Sequence, residues 1–136
     1  MRKVFLLILL ILLNITLVEA KEKIFIVSIV NNEPITNIDV INEAKYLSAL
    51  NPKIQSLDKE QILSIAKESL IKEKIKKNEL LKFIKLGEKN DFLDSMLKNF
   101  YKKLNFNNLE EFKNYLENFN LSLNEVIKKI EIETRW

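Results

Sequence analysis

Cysteine and histidine are both absent from the 136 residues. That excludes disulfides, thiolate nucleophiles, imidazole acid–base chemistry and the common zinc ligand sets together. Glycine occurs once, at Gly87, so a glycine-rich loop that cradles phosphate has nothing to be built from. Proline occurs twice, at Pro34 and Pro52, and arginine only at Arg2 and Arg135. Charge of one sign is lacking too. Lys and Arg number 22 against 19 Asp and Glu, a net of +3. The basic run Lys72, Lys74, Lys76 and Lys77 is interleaved with Glu68, Glu73 and Glu79. An arginine-poor, balanced surface of this kind pairs with itself along a helix rather than with nucleic acid. Adjacent carboxylates such as Glu110 and Glu111, or Glu131 and Glu133, lie among lysines at helical spacing and read as solvated faces. The sequence therefore offers no catalytic set, no metal site and no cofactor site.

What is present begins with a leader. Arg2 and Lys3 precede an apolar run from Val4 to Val18, and Val18-Glu19-Ala20 places small residues where a signal peptidase reads. The run is shorter than the roughly 20 residues a membrane span needs. The expectation is a cleavable signal peptide over 1–20, a single domain over 21–136 and a periplasmic location, where nothing demands disulfides. The alternative is an inner-membrane anchor retained through residues 1–20. A lipid-modified terminus is excluded, because there is no cysteine to carry it.

Beyond the leader, Lys23–Val30 (KIFIVSIV) is β-branched and aromatic, the composition of a strand. Asn31-Asn32-Glu33-Pro34 has the chemistry of a turn, and Ile35-Thr36 has room for a short returning strand. Everything after it reads as helix. Thr36 and Asp39 form a capping-box pattern for a first helix that Asn51-Pro52 stops. Asp58 and Gln61 open a second helix from Lys59 to Leu86, with Gly87 at its C′ position. Its apolar residues are spread too broadly for one stripe, so it needs cover on several sides. Further helices are predicted over Asp91–Leu104, over Leu109–Phe119, and from a Ser122/Glu125 capping box onward. The fold class is mainly α, with a short N-terminal strand or hairpin.

The order of these parts resembles the N-terminal domain of SurA-type periplasmic chaperones, relatives of the parvulin-type prolyl isomerases. The stretch that carries the resemblance best is IVSIVNNEPITNIDV, Ile26 to Val40. In that family a strand runs into a turn of the kind V-N-x-x-x-I/V-T, then into a helix with Asp in its first turn. Asn31, Ile35, Thr36 and Asp39 occupy those positions. Leu70–Gly87 resembles the family's second long helix, and Asn108–Glu133 its following pair. The resemblance implies a multi-helical, trigger-factor-like peptide-binding domain. It implies an ATP-independent chaperone module for unfolded outer-membrane protein precursors, with no nucleic-acid partner. Relatives continue into parvulin domains that use His with Cys or Asp, and this chain has neither His nor Cys. No isomerase activity is expected of it. Two alternatives stay open: the front part of a longer prolyl isomerase, or an exported or membrane-anchored helical scaffold with no client activity.

A holdase needs accessible, adaptable apolar surface. The candidates for peptide binding are Met96, Phe100, Tyr101, Phe106, Phe112 and Tyr115, with Phe119 beside them. Phe106 stands out because it lies in the loop LNFNN between two helices. Aromatic residues at helical spacing also serve as core, and strand addition at the sheet edge is a second route to a client.

Overall fold

The computed structural model describes residues 23–88 and 91–136. The leader, and with it the choice between a cleaved peptide and a retained anchor, lies outside the described residues. In chain order the elements are β1 (Ile26–Val30), β2 (Glu33–Thr36), α1 (Asn37–Leu50), a 3₁₀ turn (Ile54–Ser56), α2 (Lys59–Leu80), α3 (Asp91–Lys103), α4 (Leu109–Glu117) and α5 (Leu123–Arg135). The fold is mainly helical with one antiparallel hairpin on its N-terminal side.

The hairpin turns on two residues. Asn31 and Asn32 have φ of 49° and 66°, as a type I′ turn requires at both central positions. Asparagine takes this geometry at little cost. The turn fixes the register: Val30 faces Glu33, Ile29 faces Pro34 and Ser28 faces Ile35. Val30 and Glu33 flank the turn and form its hydrogen-bonded pair, so the next pair, Ile29 and Pro34, points its backbone groups outward. Pro34 therefore costs the ladder nothing and blocks the outer edge of β2. β1 begins at Ile26 rather than at Lys23. Before it the chain is tied to the head of α1: the Phe25 N–H donates to Asn37 Oδ1 at 2.9 Å, and the Phe25 carbonyl accepts from the Asn37 N–H at 3.0 Å.

Caps set the helix starts. Thr36 Oγ1 accepts from the Asp39 N–H at 3.2 Å, while Asp39 Oδ2 accepts from the Thr36 N–H at 2.7 Å. The same reciprocal box opens α2 with Asp58 and Gln61, and α5 with Ser122 and Glu125. α1 ends where expected, with Asn51 extended ahead of Pro52.

α2 corrects the sequence reading. It ends at Leu80, not Leu86, and its 22 residues span about 33 Å. The last turn tightens: the Lys82 N–H bonds to the Glu79 carbonyl and the Phe83 N–H to the Leu80 carbonyl. Gly87 does take a positive φ, 86°, but away from the helix end. Its N–H donates to Glu131 Oε2 at 2.8 Å, and Arg135 Nε donates to Glu131 Oε1 at 2.9 Å. The buried Glu131 thus pins the α2–α3 connection onto α5 and is itself satisfied.

α3 and α4 end on asparagine rather than glycine. Asn105 (φ 67°) and Asn120 (φ 55°) are left-handed. The residue after each donates back five positions, Phe106 to the Tyr101 carbonyl and Leu121 to the Leu116 carbonyl. These are Schellman motifs, and in such motifs the residue after the left-handed one turns its apolar side chain inward. Phe106 and Leu121 both pack into the core for that reason.

Among the described residues two apolar cores result. The smaller joins hairpin, α1 and α2 through Ile35, Val40, Ala66 and Leu70. The larger joins the end of α1 to α3, α4 and α5 around Ala49, Leu97, Phe112, Leu116 and Ile130. No described helix is long and apolar enough to cross a membrane. At the left-handed position 120, Asn120→Ala is expected to cost about 1 kcal/mol, and Asn120→Gly to be neutral or stabilising. Urea unfolding midpoints of the two variants check this; equal losses would contradict the cap assignment.

Candidate functional site

The aromatic residues singled out in the sequence come together, but as the larger core. Phe112 is 0% exposed and stands at the centre. Phe100, Tyr101 and Phe106 surround it with ring centroids at 6.1, 6.3 and 5.4 Å. Tyr115 lies 4.9 Å from Phe106 and 5.3 Å from Phe119, and its hydroxyl donates to the Ala49 carbonyl at 2.7 Å. Met96 packs against the same group. Phe112 presents no surface to a ligand, and Met96, Phe100, Tyr101, Phe106 and Tyr115 are half-buried against it. Stacked, tilted and edge-on rings of this kind hold each other in fixed places. Phe106, the loop aromatic, is drawn inward by the Schellman geometry. Phe100 also lines an open cleft.

That cleft lies where α1, α2, α3 and α5 meet and encloses about 540 Å³, open on one side. A polar cluster forms its inner wall. Lys129 of α5 reaches both Glu43 of α1 and Glu73 of α2, with Nζ 2.6 Å from Glu43 Oε2. Ser69 Oγ donates to Glu43 Oε1 at 2.6 Å. The Glu43 side chain is 1% exposed. Its Oε2 has no aligned hydrogen bond, so the bond to Lys129 is ionic in character. Burial alone would push the Lys129 ammonium down, but the charges of Glu73 and Glu43 outweigh it and hold its pKa above the usual lysine value. The ammonium also lies 5.0 Å from the centre of the Tyr46 ring. Burial first, then the charges of Glu43, Glu73 and Glu133, raise the Tyr46 phenol well above its ordinary value, so it stays neutral. Further out, Lys76 pairs with Glu133 at 2.7 Å. The floor is apolar, from Leu47, Leu50, Phe100 and Leu104. Among the described residues no group of three or more acidic side chains is placed to hold a metal ion.

A second surface lies on the hairpin. Ile24, Phe25, Ile26 and Ile29 are 67%, 55%, 59% and 63% exposed. Among the described residues β1 has one partner strand, β2, so its other edge has no strand paired to it there. No charged residue interrupts Ile24–Val30. Lysine, proline or an inward-turned charge usually guards such an edge, and here Pro34 guards only the β2 side. These four side chains were not among the candidate residues of the sequence. The available signal was the uncharged length of the strand, which exceeds what one two-stranded hairpin can bury.

The polar cluster makes a direct prediction. Lys129→Met leaves Glu43 and Glu73 without their cation and is expected to cost about 3–5 kcal/mol. Adding Glu43→Leu to Lys129→Met is expected to return at least roughly half of that loss. Urea unfolding followed by circular dichroism measures both; strictly additive losses would contradict the coupling. Compared with known proteins, the chain matches no family model, no curated protein and no solved structure.

Proposed function

We propose that the chain is an ATP-independent chaperone module that holds extended apolar segments of unfolded proteins, with outer-membrane protein precursors as its periplasmic clients. The observation that carries this reading is the edge of β1, unguarded among the described residues, with Ile24, Phe25, Ile26 and Ile29 exposed beside it. An extended client segment can add to such an edge as a further strand. Main-chain hydrogen bonds then supply affinity for almost any sequence, and every second apolar side chain finds a neighbour on the exposed face. Segments that alternate apolar with polar residues, as barrel strands do, fit that spacing. Tolerance of sequence is what a holdase needs, and an edge strand provides it without a shaped pocket.

The rest of the surface fits the same use. Lysine and glutamate line the helices in near balance, so a bound apolar segment is surrounded by charge that keeps the complex in solution. The hairpin is anchored where it must be. Ile35 is fully buried under it, and Glu33 pairs with Lys74 of α2 at 2.8 Å. A client strand therefore docks on an element fixed to the long helix. The double variant Ile26→Lys, Ile29→Lys changes only exposed side chains, so its melting curve is expected to match the parent's. Suppression of aggregation of a urea-unfolded outer-membrane barrel protein, without ATP, is expected to fall several-fold. Equal suppression by both proteins, or none by the parent, would overturn the proposal.

A further inference from the structure

We propose that the cleft between α1, α2, α3 and α5 is a selective subsite for an apolar side chain with a carboxylate beside it, carried on an extended peptide. The inference rests on the client-binding reading and adds to it a chemical preference that an edge strand alone lacks.

The cleft combines two features that single out such a ligand. Its volume, about 540 Å³, is that of a binding pocket rather than a packing defect. Its floor of Leu47, Leu50, Phe100 and Leu104 is apolar and able to receive an aromatic or branched side chain. The second feature is the charge that remains once the internal pairs are made. Three carboxylates line the cleft, and all three are committed: Glu43 and Glu73 to Lys129, and Glu133 to Lys76. Four lysines line it, and two are uncommitted. Lys72 on α2 and Lys103 on α3 are exposed and form no ion pair with any described residue. Glu43 and Glu73 share the one cation of Lys129, so the inner wall keeps a negative charge; the four lysines against three carboxylates still leave the lining positive by one, with the two unpaired lysines at the exposed rim above an apolar floor. A carboxylate next to a buried apolar side chain meets attraction there, and an ammonium or guanidinium in the same place meets repulsion from both lysines. The Lys129 cluster gives the inner wall a fixed shape, because it joins three of the four helices that bound the cleft.

The discrimination is measurable with four blocked hexapeptides, Ala-Ala-X-Z-Ala-Ala, in which X-Z is Phe-Glu, Phe-Gln, Phe-Lys or Ala-Glu. Isothermal titration of the full chain is expected to rank Phe-Glu first, about threefold to tenfold tighter than Phe-Gln, with Phe-Lys and Ala-Glu weakest. The Phe-Glu advantage is expected to shrink as salt rises. The double variant Lys72→Glu, Lys103→Glu is expected to place Phe-Lys above Phe-Glu, and Lys72→Gln, Lys103→Gln to level them. The same charge change on exposed lysines outside the cleft, Lys98→Glu with Lys102→Glu, is expected to leave the order intact. Four results would each overturn the subsite: no binding of any peptide, equal affinity for Phe-Glu and Phe-Gln, an unchanged order in the Lys72/Lys103 variants, or the same inversion in the Lys98/Lys102 control. Aggregation assays on the same preparations separate this from the edge-strand reading. Intact suppression without peptide discrimination overturns the cleft subsite alone.

Discussion

The ammonium of Lys129 ties three helices to one another by meeting two glutamates at once. The described residues build two apolar cores, and the one under the hairpin has only four buried residues. Between the cores runs a polar seam in which α1, α2 and α5 each contribute one charged group: Glu43, Glu73 and Lys129. Moving carboxylates away from water is expensive, and a cation placed between them offsets that cost only when the geometry is fixed. Ser69 and Tyr46 complete the geometry, one by donating to Glu43 and the other by presenting its ring to the ammonium. A leucine in place of each charge would pack as well or better. It would also extend the apolar floor of the cleft through to the hairpin core. The charged seam keeps one wall of the cleft polar and the position of α5 against α1 and α2 specific.

Much of the fold was legible because it is written in local chemistry. The reciprocal boxes at Thr36/Asp39, Asp58/Gln61 and Ser122/Glu125 each need only four consecutive residues, and all three open a helix. The turn is two residues shorter than its sequence suggests: Asn31 and Asn32 alone make it, and Glu33 and Pro34 belong to β2. Endings were harder. Gly87 drew the end of α2 too far along the chain, because a lone glycine is the usual mark of a helix end and here it serves the contact with Glu131. Asn105 and Asn120 do the capping that glycine would do, and asparagine is too common in this chain to stand out.

The site was less legible, for a physical reason. Which aromatic faces inward depends on how helices cross, and no local pattern records that. Phe112 and Phe83 look alike in sequence, yet one is fully enclosed and the other is among the most exposed side chains. Lys129 meets a glutamate 56 residues earlier in the chain, a distance that no periodicity can bridge. The hairpin is the exception. Its strand is uncharged from Ile24 to Val30 and, among the described residues, has a single partner strand, so part of its apolar surface was bound to be left over.

On the proposed reading, the exposed edge and the lysine-rimmed cleft together hold chains that are themselves extended. In that proposal the edge would supply affinity that depends on backbone, and the cleft a preference that depends on side chains. The central claim is that the client pairs with β1. Ile29, opposite Pro34, has its backbone N–H turned away from β2, so in the free protein that amide is open to solvent. Amide hydrogen exchange, read residue by residue by NMR with and without an unfolded barrel protein, tests this directly. The account predicts that the Ile29 amide gains protection when the client is added, while the Val30 amide, already bonded within the hairpin, changes little. Protection gained only in the helices, with the Ile29 amide exchanging as before, would contradict it.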